Sequence, residues 1–118
     1  MSLAESLQRV IQDLEEAGGI AIVGMDGIVV EEQKRDSRID LQVIGAEFGG
    51  LFKSAGMLSE SVEFGAVSEL MTITDRSVVM LRRVTAEYFL ILVIRPDGNL
   101  GKARFLLRRA GSQLKTEL

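Results

Sequence analysis

The sequence predicts an α+β fold for residues 1–118, a single domain in which helices cover both faces of a five-stranded antiparallel sheet. Apolar residues recur at helical spacing in three segments, at the two ends and in the middle. Five short stretches between them have the alternating or continuous apolar pattern of strands. Apart from the link that contains the middle helix, every connection between strands is short, which requires antiparallel neighbours. The predicted order is α-β-β-α-β-β-β-α, a three-layer α/β/α sandwich.

The first helix is predicted from five apolar residues at helical spacing: Leu3, Leu7, Val10, Leu14 and Ala17. Gly18-Gly19 is predicted to end it. Acidic side chains near that end oppose the helix dipole, so we expect basic neighbours from elsewhere in the fold. Residues 20–25 and 28–32 are predicted to form a hairpin, with Asp26-Gly27 as its two-residue turn.

The middle helix is predicted over residues 39–58, with a capping box that begins at Ser37. At 100° per residue, one apolar stripe is typical of a helix face that lies on a sheet: Leu41, Ile44, Phe48, Leu51, Ala55 and Leu58. The helix also contains four glycines, and each glycine in a helix interior costs roughly 1 kcal/mol relative to alanine. Three of them, Gly45, Gly49 and Gly56, form a second stripe with Phe52.

We interpret this glycine stripe as a surface that another protein approaches closely. Gly49→Leu is accordingly predicted to weaken dimerisation by overpacking. Two alternatives stay open. The glycines could let the helix press onto the sheet or a helix of its own chain, or the helix could break near Gly49-Gly50.

The second half of the chain is predicted to be a three-stranded meander, over residues 67–74, 77–84 and 88–94, followed by a helix. The last strand is apolar throughout, which predicts a central position and leaves residues 67–74 at an edge that invites pairing with another chain. Asn99 is predicted to cap the final helix. Five of its residues are predicted to face inward: Leu100, Ala103, Leu107, Ala110 and Leu114.

Composition narrows the function classes. Hydrophobic residues make up 47% of the chain, cysteine is absent, and no apolar run reaches the length that spans a bilayer. No secretory signal is predicted at the start, so we expect a cytoplasmic protein. Residues 1–75 have a net charge of −9 and residues 76–118 of +6. We expect the acidic first helix and the basic last helix to lie side by side, and we expect no nucleic-acid binding.

The sequence predicts no catalytic, cofactor-binding or metal site. Histidine and cysteine, the commonest general base and the most reactive nucleophile, are absent. The adjacent carboxylates Glu15-Glu16 and Glu31-Glu32 point away from each other in a helix or a strand, so we interpret them as solvated charges. The glycine-containing segment at residues 98–102 lacks the spacing of a phosphate-binding loop.

Several short segments, in their order and spacing, resemble the roadblock (dynein light-chain-7) family over nearly the whole chain. They are Gly18-Gly19-Ile20-Ala21, Asp26-Gly27, Val78-Val79-Met80-Leu81-Arg82, Tyr88-Phe89-Leu90 and Asn99-Leu100-Gly101-Lys102-Ala103-Arg104. The last of these resembles the family's most recognisable stretch. The chain departs from the pattern at Arg83, where many members carry proline, which allows local differences in that strand.

The resemblance implies a non-catalytic regulatory or scaffold module with no family-wide catalytic residue. Members form homodimers or heterodimers by joining edge strands into one ten-stranded sheet, with their middle helices side by side. Prokaryotic members act on a Ras-like small GTPase, some as GTPase activators in gliding motility and cell polarity. Eukaryotic members are dynein light chains or GTPase scaffolds. A free-standing chain of this length resembles the prokaryotic type.

We therefore expect a bacterial homodimer whose paired middle helices bind a Ras-like small GTPase. The residues expected at the dimer interface are Gly45, Gly49, Phe52, Gly56, Val67, Glu69 and Met71. Gln42, Ala46 and Lys53, further round the helix, are expected to contact the GTPase. The alternative is a small-molecule-sensing or other interaction module with a profilin-like sheet. A sensor would need an apolar cavity between sheet and helix with convergent polar groups, and the large aliphatic residues predicted there disfavour it.

Overall fold

The computed structural model describes residues 1–118 as three helices and one five-stranded sheet. In chain order the elements are α1 (Leu3–Asp13), β1 (Ala17–Gly24), β2 (Val29–Lys34), α2 (Leu41–Ser61), β3 (Glu69–Ile73), β4 (Val78–Arg83), β5 (Tyr88–Ile94) and α3 (Leu100–Leu114). The strands lie in the order β2-β1-β5-β4-β3, with every neighbouring pair antiparallel. The predicted fold class is confirmed, with β5 in the centre and β3 at an edge.

The sheet separates two apolar cores. Alternate residues of β5 point to opposite faces, so Leu90 and Leu92 contribute to a core beneath α1 and α3, whereas Phe89 and Ile91 contribute to a smaller core beneath α2. Because helices cover both faces, β5 is apolar at every position, as strands buried on both sides are. None of the three helices has the combination of length and apolarity that crossing a bilayer requires.

The end of α1 differs from the prediction. The helix stops at Asp13, and Gly18 and Gly19 belong to β1 instead of terminating the helix. The reason is the Arg35 guanidinium, which donates hydrogen bonds to four carbonyls around the end of α1: those of Ile11, Leu14, Glu15 and Ala17. It satisfies acceptors that a helix end leaves free. A Cβ at Gly18 would meet the tip of the Ile39 side chain, which would have to move aside.

Two other local predictions are corrected. Four residues, 25–28, connect β1 to β2 instead of two, because Asp26 Oδ1 accepts a hydrogen bond from Ile28 N at 3.1 Å while Gly27 has a φ of 87°. The cap of α2 is Asp40, whose carboxylate accepts from the backbone N–H groups of Gln42 and Val43 at 3.1 and 3.2 Å. The helix runs without a break through its glycines to Ser61.

The last helix agrees with the prediction. Asn99 Oδ1 accepts a hydrogen bond from Lys102 N at 3.0 Å and caps α3. Ala103, Leu107, Ala110 and Leu114 are buried, and Leu100 is half-buried. The basic α3 and the acidic end of α1 also lie side by side, joined by a salt bridge of 3.0 Å between Arg109 and Asp13. This contact supplies the basic neighbour expected near the end of α1.

Candidate functional site

The structure places part of each predicted stripe of α2 against the sheet. Gly45 and Gly49 are buried against the sheet of their own chain. A Cβ at Gly45 would lie 3.3 Å from Val23 Cγ2, and one at Gly49 would lie 3.1 Å from Phe89 Cζ. The glycines therefore let the helix approach bulky side chains of β1 and β5.

Phe52 is also turned inward, with its ring 5.5 Å from that of Phe89 in an edge-to-face arrangement. Thus three of the four α2 residues expected at the dimer interface pack against the sheet of their own chain. Gly56 is different, because a Cβ there would meet no atom within 4 Å. Of the two open alternatives for the glycine stripe, close approach within the chain describes Gly45 and Gly49.

The outward apolar stripe of α2 is the one that was predicted to lie on the sheet. Leu41 does lie there. Of the other five residues, Ile44, Phe48 and Ala55 are half-buried, and Leu51 and Leu58 are exposed. Ile44 and Phe48 also pack against the α2 core. Leu51 is 46% exposed and Leu58 69%. We call these five residues the outer α2 stripe. Contiguous exposed apolar surface of this kind marks interaction sites.

Exposed apolar side chains after the predicted end of the helix were not foreseen from the sequence. Val62 and Phe64 are both exposed, and Phe64 is 84% exposed. The loop is held in place because Ser59 Oγ donates a hydrogen bond to Gly65 O at 2.6 Å. Gly65 has a φ of 87°, a conformation that favours glycine. Apolar residues directly before a glycine in a loop were the available indication.

The backbone of β3 has hydrogen-bonding groups without a strand to pair with. In its ladder with β4, Arg83 N donates to Ser68 O at 2.9 Å. At the other end Thr74 N donates to Ser77 O, also at 2.9 Å. Bonded pairs alternate along an antiparallel ladder, so every second residue of β3 directs its N–H and C=O to the open edge: Glu69, Met71 and Ile73. These groups are a template for another strand.

The side chains predicted at the edge are engaged within the chain. Glu69 accepts hydrogen bonds from Arg104 at 2.9 Å and Arg82 at 3.4 Å, and its side chain is only 15% exposed. The hydrogen bond from Arg104, together with the positive charges nearby, holds the pKa of the Glu69 carboxyl below its usual range against the effect of burial. Met71 packs against the α1/α3 core and Val67 against the α2 core.

The three residues expected to bind a GTPase are exposed on α2. Gln42, Ala46 and Lys53 lie about 180° around the helix axis from the outer α2 stripe at 100° per residue. Ala46 packs near the β1–β2 turn, since a Cβ at Gly27 would lie 3.5 Å from Ala46 Cα. We call the side of these three residues the polar flank of α2 and the side of the outer α2 stripe its apolar flank.

An open pocket of about 400 Å³ lies beside the C-terminal half of α2. Its apolar wall includes Phe52, Met57 and Val67, and its polar groups are Lys53, Glu60 and Arg83. The space between helix and sheet is filled by apolar side chains, as expected, so this pocket lies at the rim.

No group of three or more potential metal ligands is present. Asn99 occupies the start of α3 as its cap, and Glu16 Oε2 accepts from Asn99 N at 3.2 Å.

No protein-family model and no curated protein sequence matches the chain. Among solved structures, MglC from Myxococcus xanthus is 31% identical over 100% of both chains, with a TM-score of 0.72. A Roadblock/LC7 domain from Streptomyces avermitilis is 11% identical, with a TM-score of 0.89 over 99% of this chain and 98% of that one. MglB from Myxococcus xanthus is 15% identical, with a TM-score of 0.89 over 98% of this chain and 86% of that one.

Proposed function

The chain belongs to the roadblock/LC7 family, and from that premise we propose that it is a dimeric, non-catalytic regulator of a Ras-like small GTPase. The observation that carries the proposal is the open edge of β3, where the backbone N–H and C=O groups of Glu69, Met71 and Ile73 have no neighbouring strand to pair with. Two copies related by a two-fold axis would pair these edges and continue the sheet from five strands to ten.

The outer α2 stripe supports the same assembly. Leu51 and Leu58 leave about half or more of their surface in water. In a two-fold dimer the two α2 helices would bring these stripes together and remove that surface from water. We therefore move the helical part of the proposed dimer interface from Gly45, Gly49 and Phe52 to this stripe. Gly56 and the β3 backbone stay in it.

The edge can be tested with two substitutions at one position. Met71→Pro removes an N–H that points away from the chain's own ladder, where proline is tolerated in an edge strand. Met71→Ala keeps the N–H and removes the same side-chain contacts, so it is the matched control. We expect wild type and Met71→Ala to sediment at twice the 12.9 kDa chain mass, and Met71→Pro to sediment as a folded monomer. A dimeric Met71→Pro variant would contradict pairing through β3.

The GTPase is proposed to contact the polar flank of α2. Two such flanks in a dimer would present Gln42, Ala46 and Lys53 twice, and one GTPase could straddle both copies. The test mixes the purified chain with Ras-like GTPases encoded near it, loaded with GDP or with a non-hydrolysable GTP analogue. Binding and phosphate release are measured. We expect Lys53→Glu to weaken binding and leave the dimer intact. Absence of binding in either nucleotide state would remove the GTPase part of the proposal.

The rim pocket favours a second candidate, a small-molecule-sensing module. A volume of about 400 Å³ is within the range of ligand sites, and Lys53 and Arg83 would suit an anionic group. A thermal-shift screen of small organic anions tests it. Stabilisation by one compound, lost in Arg83→Ala, would support this candidate. No shift with any compound would remove it.

A further inference from the structure

The outer face of α3 carries a surplus of positive charge on the side of the sheet opposite α2. The helix contains one lysine, three arginines and no acidic residue. Between its side chains runs a groove of about 420 Å³, lined by Gly101, Arg104, Phe105, Arg108, Arg109 and Ser112. We call it the α3 groove.

Two carboxylates hold arginines of this groove in place. Glu69 binds Arg104 at 2.9 Å, and Asp13 binds Arg109 at 3.0 Å. Both guanidinium groups stay partly exposed, 50% and 37% by side chain. Arg108 lies between them along the helix and forms no salt bridge. A guanidinium that is already held in position loses less conformational freedom when a ligand binds.

The charge surplus continues beyond the helix. Arg82, Arg83 and Lys115 surround an adjoining depression next to Arg108. Of these, only Arg82 has a carboxylate partner, and it shares Glu69 with Arg104. The cations near α3 are therefore more numerous than the acidic groups that fix them. Salt bridges within the chain neutralise Arg82, Arg104 and Arg109 in part, whereas Arg83, Arg108 and Lys115 have no acidic partner.

Phe105 gives the groove an apolar element. Phe105 is 60% exposed, and the Arg109 guanidinium lies 5.8 Å from its ring centroid. An exposed aromatic residue beside arginines suits a ligand that presents carboxylates and an apolar side chain together. Arginine is also the side chain whose planar donors match a carboxylate in two places.

We propose that the α3 groove binds an acidic segment of another protein, with carboxylates on Arg104, Arg108 and Arg109 and an apolar side chain on Phe105. A short acidic segment suits this cluster, because charges more than about 10 Å from the arginines are largely screened at 0.1 M salt and would add little to binding. An extended anionic surface would also be repelled by the acidic rest of this chain, whose net charge is −3. Because the groove lies across the sheet from α2, this segment and a GTPase could be bound at once.

The test uses the full chain and a fluorescein-labelled synthetic peptide, rich in glutamate with leucines at helical spacing. Binding is followed by fluorescence anisotropy at increasing salt, against a peptide in which lysine replaces every glutamate. We expect the acidic peptide alone to bind, and Arg108→Glu to weaken binding by about tenfold or more, as for a lost charge-assisted hydrogen bond. Phe105→Ala should weaken it less. Arg38→Glu, the same charge change at an exposed residue just before α2, should have no effect.

Three results would overturn the proposal. The first is equal affinity of wild type and Arg108→Glu, with both folded by circular dichroism. The second is an equal loss in Arg38→Glu, which would indicate non-specific electrostatic attraction. The third is no binding of the acidic peptide while vesicles of anionic phospholipid or single-stranded DNA bind. Loss of GTPase binding would leave the peptide result unchanged, because the two tests address opposite faces of the sheet.

Discussion

Shortening Leu58 to alanine should weaken the proposed dimer and leave the protomer folded. Leu58 is 69% exposed in the single chain. Most of the three carbon groups that the substitution removes would therefore be buried only in the dimer. At about 0.8 kcal/mol per buried methylene group, the loss is roughly 1.5 kcal/mol per protomer. A two-fold interface contains the residue twice, giving about 3 kcal/mol, or an increase in the dimer Kd of roughly 150-fold.

Sedimentation velocity over a dilution series measures this change directly. Lys53→Ala is the matched control, since it also shortens an exposed residue of α2 but lies on the opposite flank. It should sediment as wild type does. Alanine is the best helix former, so Leu58→Ala should keep its helical circular dichroism. An unchanged dimer Kd in Leu58→Ala, or an equal change in Lys53→Ala, would refute contact through the outer α2 stripe.

Three further predictions concern stability. Gly49→Leu should lower the free energy of unfolding, measured with urea, by about 1–3 kcal/mol through overpacking against Phe89. Gly50→Leu should not lower it, because a Cβ at Gly50 meets no other atom. Glu69→Gln should cost about 1–2 kcal/mol at neutral pH. The pKa of Glu69 is lower in the folded chain than in the unfolded one. The extra stability of wild type over Glu69→Gln should therefore decrease as the pH falls below about 4.3 and disappear below the pKa of the folded state. Asn99→Ala should cost about 1 kcal/mol in thermal unfolding, and Asn99→Asp little.

Local features of the chain were sufficient to predict much of the fold. β5 was predicted at its observed bounds because a strand covered on both faces is apolar at each position. The start of α3 was predicted because Asn99 caps the helix through its own neighbours. The end of α1 could not be predicted in this way. It depends on Arg35, about 20 residues further along the chain, whose guanidinium reaches the carbonyls around that end.

The faces of α2 show a different limit. Periodicity separated two stripes, but it could not say which residues of each lie on the sheet. That choice depends on Phe89 and Val23, which approach the helix so closely that a Cβ at Gly49 or Gly45 would crowd them. Larger side chains such as Leu51 and Leu58 were then left outside. A stripe of glycines and a stripe of aliphatic residues both satisfy the pattern of a buried face, and only the shape of the opposite surface decides.

Glu69 serves two regions of the molecule at once. It sits in the edge strand, yet its carboxylate is held by Arg104, a cation of the α3 groove. Any ligand that drew Arg104 away would loosen an anchor of that strand. Linked equilibria are reciprocal, so joining the two edges would then alter the affinity of the groove by the same factor. A single carboxylate would thus couple the open edge of β3 to the α3 groove.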